Sequence, residues 1–311
     1  MKTALAVAAV VAAFTVSLRA QELPPPPGKL VDVGGHRLHV NCPGSRSPTV
    51  ILESGASSFA IDWALVQPAV ARTNRVCSYD RAGYGWSEPA AYDMRGEDAV
   101  RSLHKALELL GERPPYVLVG HSMGGRYVRL FALVYPSEVK AMVLVDAEHE
   151  DGLYIGVNGG PVPISSLSDD EFEAAWKPPV GPPPAVPEQQ LQAAHLKLPR
   201  ELQPVRLQLQ QRFFTAMYSA TPDAMRHTMR SEHAALRTLH QLSAREEHPL
   251  HDLPLIVLTR GLDESPARLR SQQALARLSS KGKQVVVDDS DHEIQLFRPD
   301  VVIQAIADVS K

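Results

Sequence analysis

Short apolar runs recur along this chain and alternate with segments of helical periodicity. The apolar runs predict strands near residues 29–33, 36–41, 48–53, 75–79, 115–120, 140–145, 253–259 and 283–288. Apolar positions at helical spacing predict helices near residues 62–71, 95–111, 123–135, 266–279 and 299–309. Strands that alternate with helices favour an α/β fold, with a mostly parallel sheet covered by helices on both faces.

This alternation stops between residues 148 and 250, where the pattern predicts no strand. A proline-rich stretch at 177–187 is followed by three segments with helical patterns, at 188–197, 201–220 and 222–243. We therefore expect a core of residues 29–147 and 251–311. Residues 148–250 would be a helical insertion over that core, which we call the cap.

The first residues have the pattern of an export signal. A basic start at Lys2 precedes a run of small apolar residues, and a cleavage region follows near residue 20. Residues 21–28 then form a proline-rich tether. The chain is accordingly expected to be secreted or periplasmic, with a signal peptide at 1–20 and no membrane span after its removal.

Composition narrows the function classes. The 311 residues are 44% hydrophobic and 22% charged, with a formal net charge of −3. A weakly acidic chain of this kind does not predict nucleic-acid binding or disorder. His227, His233 and His240 of the cap are six and seven residues apart, and this spacing does not match a metal site. We expect no cofactor and no metal.

The most specific motif is Gly120-His121-Ser122-Met123-Gly124. It lies between an apolar strand pattern and a helical pattern, so Ser122 falls on a sharp turn between the two. Small flanking residues are needed there because the turn is crowded, and the start of the following helix favours a developing negative charge. Ser122 is the predicted nucleophile.

This arrangement resembles the nucleophile elbow of the α/β-hydrolase superfamily, in the branch with an AB hydrolase-1 type core. The resemblance covers residues 29–147 and 251–311. It is also carried by Leu52-Glu53-Ser54-Gly55-Ala56, by Tyr79-Asp80-Arg81-Ala82-Gly83-Tyr84-Gly85-Trp86-Ser87 and by Asp291-His292 before Arg298-Pro299-Asp300. It implies an eight-stranded, mostly parallel sheet and an order of nucleophile, acid and base along the chain.

In that order the base comes last, which selects His292 just after the last strand. The acid has two candidate positions. Asp146 follows the strand 140–145, and Asp263 and Glu264 follow the strand 253–259. The pattern after the later strand would select Glu264, whereas members of the fold also use the position of Asp146, which we favour.

The resemblance also implies an oxyanion hole made by the backbone N–H groups of Ala56 and Met123. It predicts a carboxylic-ester hydrolase with a Ser-His-Asp/Glu triad, an acyl-enzyme intermediate and a small-molecule ester as substrate. The same residues leave C–C bond hydrolysis, an aminopeptidase and a non-catalytic binding protein as alternatives.

The chain has two cysteines, Cys42 and Cys77. An even number in an exported protein favours a disulfide. In the strand order of the resembled fold the strands that carry them are neighbours, so we expect the two cysteines to be bridged.

Overall fold

The computed structural model describes residues 23–91, 94–157, 160–179, 181–182, 185–262 and 265–311. The predicted signal peptide and the candidate acids Asp263 and Glu264 lie outside the described residues. No helix of the described residues is both long enough and apolar enough to cross a membrane.

Eight strands form one sheet in the order β1-β2-β4-β3-β5-β6-β9-β10. The strands β1 and β2, and β2 and β4, pair antiparallel, and the other pairs are parallel. The eight strands predicted from the sequence are those of this sheet, so the predicted fold class is confirmed. The bounds are β1 Lys29–Asp32, β2 Arg37–Asn41, β3 Val50–Glu53, β4 Val76–Tyr79, β5 Tyr116–His121, β6 Val139–Val145, β9 Leu255–Arg260 and β10 Gly282–Val287.

Helices cover both faces of the sheet. Alternate side chains of a strand point to opposite faces, so Leu118 of β5 packs with one group of helices and Val117 and Val119 pack with the other. Both cores are formed by buried hydrophobic side chains, most of them aliphatic. The α-helices are α1 Gln67–Val70, α2 Gly96–Leu110, α3 Gly124–Val134, α4 Asp169–Ala175, α5 Gln203–Tyr218, α6 Pro222–Arg245, α7 Pro266–Arg277, α8 Ile294–Phe297 and α9 Pro299–Ser310.

One predicted helix is shorter than the pattern at 62–71 indicates. The structure has a 3-10 turn at Ala60–Trp63, followed by α1. The Asp62 carboxylate accepts a hydrogen bond from the Phe59 N–H at 2.9 Å, which closes the turn locally. The helical pattern therefore marks the buried face correctly but overestimates the length of the helix.

The cap differs from its prediction in two places. Residues expected to lack strands contain an antiparallel pair, β7 (Tyr154–Val157) and β8 (Gly160–Pro163). The segment 188–197 has only a 3-10 turn at His195–Lys197 in place of the predicted helix. Polar groups there bind α5 instead, because the Gln210 side chain donates to Gln189 Oε1 and to the Gln190 carbonyl. The predicted boundaries of core and cap stay predictions.

A disulfide joins Cys42 and Cys77, as the sequence predicts. It links the end of β2 to β4, and these strands are neighbours in the sheet. Part of the proline-rich tether is packed against the core, since the Trp86 indole donates to the Pro24 carbonyl at 2.9 Å. The bridge and this contact fasten the N-terminal end of the core to the sheet edge.

Candidate active site

Ser122 lies directly after β5, at the turn into α3. Its φ is 52°, in the left-handed region that costs a non-glycine residue energy, and its side chain is almost completely buried. The turn is tightly packed on both sides. A Cβ at Gly124 would lie 2.7 Å from the carbonyl oxygens of Glu53 and Ser54, and one at Gly125 would lie 2.3 Å from Ala147 Cβ. The local backbone therefore presents one serine hydroxyl at the carboxyl end of the parallel strands.

His292 lies beyond β10 and is joined to Asp146, which directly follows β6. The distance from His292 Nδ1 to Asp146 Oδ2 is 2.5 Å. Asp146 is fully buried, and Arg268 of α7 also contacts Oδ2, at 2.7 Å. Burial acts to raise the pKa of Asp146, but the hydrogen bonds from His292 and Arg268 outweigh it and lower the pKa below its usual value. A charged carboxylate thus orients the imidazole.

The structure brings Ser122, His292 and Asp146 to the carboxyl ends of the parallel strands. Because Asp263 and Glu264 lie outside the described residues, the choice between them and Asp146 as triad acid is not tested by geometry. The contact between Asp146 and His292 is what supports Asp146.

His121, the residue before Ser122 in the motif, is a buried neighbour of His292. Their ring centroids are 4.7 Å apart, and His121 Nε2 lies 3.1 Å from the His292 carbonyl oxygen, to which it can donate. Burial, and next the proximity of His292, lower the pKa of His121 to about 3. A neutral His121 thus supports the backbone of the candidate base.

Sequence reasoning missed Glu148, which lies close to the candidate nucleophile. The Ser122 hydroxyl donates to Glu148 Oε1 at 3.4 Å, and within the described part of the chain it makes no hydrogen bond to His292. The Glu148 side chain is about one third exposed. A carboxylate three residues after a strand end has the sequence signature of an ordinary loop residue, so only the fold reveals this contact.

Glu148 belongs to a charged cluster that reaches the cap. Arg126 of α3 is buried and pairs with Glu148 and with Glu232 of α6, the latter at 2.7 Å. The Tyr127 hydroxyl also donates to Glu232, at 3.1 Å. One guanidinium therefore joins the residue beside the nucleophile to the long cap helix.

The two predicted oxyanion donors flank the turn. Met123 follows Ser122, and Ala56 lies in the loop after β3, which passes close enough that a Cβ at Gly55 would be 3.0 Å from Ser122 Cβ. Considering only the residues that the structure describes, neither the Ala56 N–H nor the Met123 N–H donates to a protein acceptor. An oxyanion hole made by these two N–H groups stays a prediction.

A cavity of about 440 Å³ lies between the core and the cap. Its wall is mostly apolar, and it approaches the elbow through Arg95, whose Nη1 lies 3.9 Å from Met123 Sδ. The remaining wall comes from the core loop after β4 and from cap helices, and includes Tyr84, Trp176, Phe213, Met225 and Met229. An apolar group of moderate size fits this space.

One cluster within the described ranges has the composition of a metal site: Cys42, Cys77 and Glu112. Both sulfur atoms belong to the disulfide, so they are not thiolate ligands. The cluster is therefore explained by the covalent bridge.

The chain matches one family model and is similar to several known proteins. The family model for the alpha/beta hydrolase fold matches residues 48–299. The uncharacterized protein YbdG of Bacillus subtilis (strain 168) is 33% identical over 121 residues, which are 38% of this chain and 37% of that protein. The chain thus spans well under half the length of this curated relative.

Two further proteins are similar to this chain, one in sequence and one in structure. The 2-hydroxy-6-oxononadienedioate/2-hydroxy-6-oxononatrienedioate hydrolase of Paraburkholderia xenovorans (strain LB400) is 34% identical over 133 residues, 41% of this chain and 43% of that protein. A mutant of the meta-cleavage product hydrolase CumD from Pseudomonas fluorescens IP01, complexed with acetates, superposes with a TM-score of 0.62 at 18% identity, over 91% of this chain and 97% of that one. At 18% identity this structural likeness shows a shared fold.

Proposed function

The chain belongs to the alpha/beta hydrolase fold family, and we propose that it is a serine hydrolase that cleaves carboxylic esters. One observation carries the proposal. Ser122 lies on a strained, glycine-flanked turn, at the same end of the parallel strands as His292. The Nδ1 atom of His292 is 2.5 Å from the buried Asp146 carboxylate. A serine on such a turn beside an oriented imidazole is the arrangement that acyl transfer requires.

The reaction would proceed in two steps. Ser122 Oγ attacks the carbonyl carbon while His292 Nε2 takes the hydroxyl proton, and the oxyanion is held by the Ala56 and Met123 N–H groups. The C–O bond to the alcohol then breaks, and His292 returns the proton to the leaving oxygen. A water that is deprotonated by His292 next attacks the acyl-enzyme, and release of the acid restores the Ser122 hydroxyl.

Two features of the structure bear on the first step. Ser122 must turn from Glu148 to His292, which is a rotation about a single side-chain bond. Hydrogen bonds of this kind often form only when the substrate binds. Asp146 keeps the proton on His292 Nδ1, so that Nε2 is the nitrogen that accepts the serine proton.

The cavity between core and cap supports a substrate with an apolar acyl or alcohol group. Its volume of about 440 Å³ is within the range of small-molecule sites. We therefore propose medium-chain esters as the first substrates to test.

C–C bond hydrolysis is a second candidate. It is favoured by the similarity to the Paraburkholderia xenovorans hydrolase of a 2-hydroxy-6-oxo dienoic diacid. Both candidates use the same serine, so the substrate distinguishes them and Ser122 does not.

The test is hydrolysis of p-nitrophenyl acetate, butyrate and octanoate by the chain and by Ser122→Ala and His292→Ala variants. We expect turnover by the chain, loss in both variants, and labelling of Ser122 by a fluorophosphonate. Turnover that survives in Ser122→Ala would refute the serine mechanism. Labelling without ester turnover would favour C–C hydrolysis, and absence of both would favour a non-catalytic binding protein.

A further inference from the structure

A buried guanidinium holds the loop that carries Ala56. Arg81 lies just after β4 and is only 4% exposed. Its Nη1 donates to the Ser54 carbonyl and its Nη2 donates to the Gly55 carbonyl, each at 2.6 Å. Charged donors at such distances form strong hydrogen bonds, and the planar fork of arginine fixes both carbonyls at once.

The Gly55 carbonyl and the Ala56 N–H belong to one peptide group. This peptide is trans, so the two bonds lie in one plane and point in opposite directions. Arg81 binds the oxygen of this peptide, so the N–H at its other end is directed away from Arg81. Gly55 lies beside Ser122, as its close approach to Ser122 Cβ shows, so this peptide borders the space where the oxyanion would form.

Arg81 is itself fixed on its other sides. Its Nη1 also pairs with the buried carboxylate of Glu53, which accepts a further hydrogen bond from the Tyr79 hydroxyl. The guanidinium carbon lies 4.3 Å from the ring centroid of Tyr84, which lines the cavity. These contacts leave the guanidinium a single orientation, so it can hold the peptide without reorganising during the reaction.

A cation bound to the oxygen of a peptide group also makes the N–H of that group a stronger hydrogen-bond donor. Hydrogen bonds in series polarise one another, and the effect is larger where water is excluded. The site therefore gains both direction and donor strength from one buried charge.

We propose that Arg81 is a positioning residue of the oxyanion hole, which sets and polarises the Gly55–Ala56 peptide so that the Ala56 N–H binds the developing negative charge. This inference rests on the proposed serine-hydrolase function. Arg81 touches no reacting atom and acts through the peptide.

A second buried arginine, from another element, contacts the same loop and provides a contrast. Arg206 of α5 donates to the Ser57 carbonyl at 3.0 Å and pairs with Asp62 at 2.7 Å. It holds the loop two peptides beyond the Ala56 N–H, so it contributes to loop stability without facing the donor peptide.

The test compares two Arg81 variants with a matched control. Arg81→Lys keeps the charge beside Glu53 but lacks the fork that reaches both carbonyls. The double variant Arg81→Met/Glu53→Gln removes both charges, so that no buried ion is left unpaired. Arg75→Met/Glu112→Gln is the matched control, because Arg75 also joins a buried carboxylate (Glu112) to a backbone carbonyl (Gly44) at a place distant from the loop.

The readouts are the fraction of Ser122 titrated by a fluorophosphonate, kcat and KM for p-nitrophenyl butyrate, and the inhibition constant of n-butylboronic acid. This acid forms a tetrahedral adduct on the serine, and one of its oxygens mimics the oxyanion. In both Arg81 variants we expect kcat per titrated site to fall by about tenfold to hundredfold. We expect KM to change by less than about threefold, and the boronate to weaken by the same factor as kcat. Arg75→Met/Glu112→Gln should keep the wild-type values per titrated site.

Two results would overturn the inference. One is that Arg81→Lys retains the wild-type kcat and boronate affinity. The other is that its losses disappear once rates are expressed per titrated serine, which a purely structural role predicts. Arg81→Lys decides the matter alone if the double variant does not fold. Failure of the serine-hydrolase function is distinguishable, because a fluorophosphonate would then not label Ser122 in the wild-type chain, and that result overturns both proposals. If Ser122 is labelled but esters are not turned over, the boronate affinity per titrated site decides the inference.

Discussion

The hydroxyl of Ser122 lies 3.4 Å from Glu148 Oε1, so the candidate nucleophile donates a hydrogen bond to a carboxylate. Arg126 balances this charge only in part, because it is shared with Glu232. A negative charge at this distance disfavours an oxyanion and favours a cationic group on the substrate. Glu148 should therefore influence which esters react.

We expect Glu148→Gln to lower the preference for a cationic ester over its neutral isostere by about fivefold, which corresponds to about 1 kcal/mol of screened charge interaction. The measurement is the ratio of kcat/KM for acetylthiocholine to that for S-(3,3-dimethylbutyl) thioacetate. Glu97→Gln, which removes an exposed carboxylate of α2, is the control and should leave the ratio unchanged. An unchanged ratio in Glu148→Gln would show that Glu148 does not face the substrate.

Asp146→Asn tests the choice of triad acid. Asparagine fills the same space but no longer stabilises a protonated His292 and can favour the wrong tautomer. We therefore expect kcat for p-nitrophenyl butyrate to fall on the order of 10³-fold with little change in KM. The matched variants Asp263→Asn and Glu264→Gln should keep most of the activity. If Glu264→Gln abolishes turnover and Asp146→Asn does not, the acid has been assigned wrongly.

The buried His121 should make the stability of the folded state depend on pH. Its pKa is lowered to about 3 by burial, whereas an unfolded histidine titrates near 6.5. Between these values the unfolded state binds more protons, so His121 makes the folded state less stable as the pH falls from about 6.5 towards 3. The loss is at most about 1.4 kcal/mol for each pH unit.

Urea denaturation of the wild-type chain and of His121→Gln between pH 4 and 7 would measure how the unfolding free energy depends on pH. A glutamine amide can still donate to the His292 carbonyl, so we expect the variant to fold and to show a shallower decline in unfolding free energy on acidification. His251→Gln, at an exposed position, is the control and should keep the wild-type slope. Equal slopes in His121→Gln and wild type would mean that another group causes the acid sensitivity.

Much of the fold could be predicted from the sequence because its strands are buried on both faces. Val117, Leu118 and Val119 of β5 form an uninterrupted apolar run, and such runs mark central strands without any knowledge of the tertiary structure. Ser122 could be predicted for a related reason, since its turn requires glycine at fixed positions. The short strands β7 and β8 were missed because their residues are exposed or half-buried and carry little apolar signal.

The charged contacts of the site could not be predicted in the same way. Glu232 meets Arg126 across 106 residues of sequence, and Arg81 meets Gly55 across 26. Nothing local distinguishes these side chains from solvent-exposed charges, which are far more common. Only the path of the chain brings them into the interior, where each needs a partner.

The ion pair of Glu232 and Arg126 joins the long helix α6 to α3. Glu232 Oε1 lies 2.7 Å from Arg126 Nη1, both side chains are buried, and α6 also supplies Met225 and Met229 to the cavity wall. Glu232→Gln leaves Arg126 with Glu148 as its one carboxylate partner among the described residues. Arg126 therefore keeps a charged partner, and the variant loses only the charge of one buried acceptor, so we expect the unfolding free energy to fall by about 1–2 kcal/mol. We also expect KM for p-nitrophenyl octanoate to rise, since α6 is less firmly held over the cavity.

An exposed pair on the same helix provides the control. Arg230 of α6 pairs with Glu173 of α4, and the Arg230 side chain is 57% exposed. Exposed pairs contribute little because solvent screens them and their side chains lose conformational freedom. Arg230→Ala should therefore change neither stability nor KM to a comparable extent. If the two variants lose the same stability, the buried pair does not fasten the cap, and if Glu232→Gln loses stability with KM unchanged, α6 does not set the cavity wall.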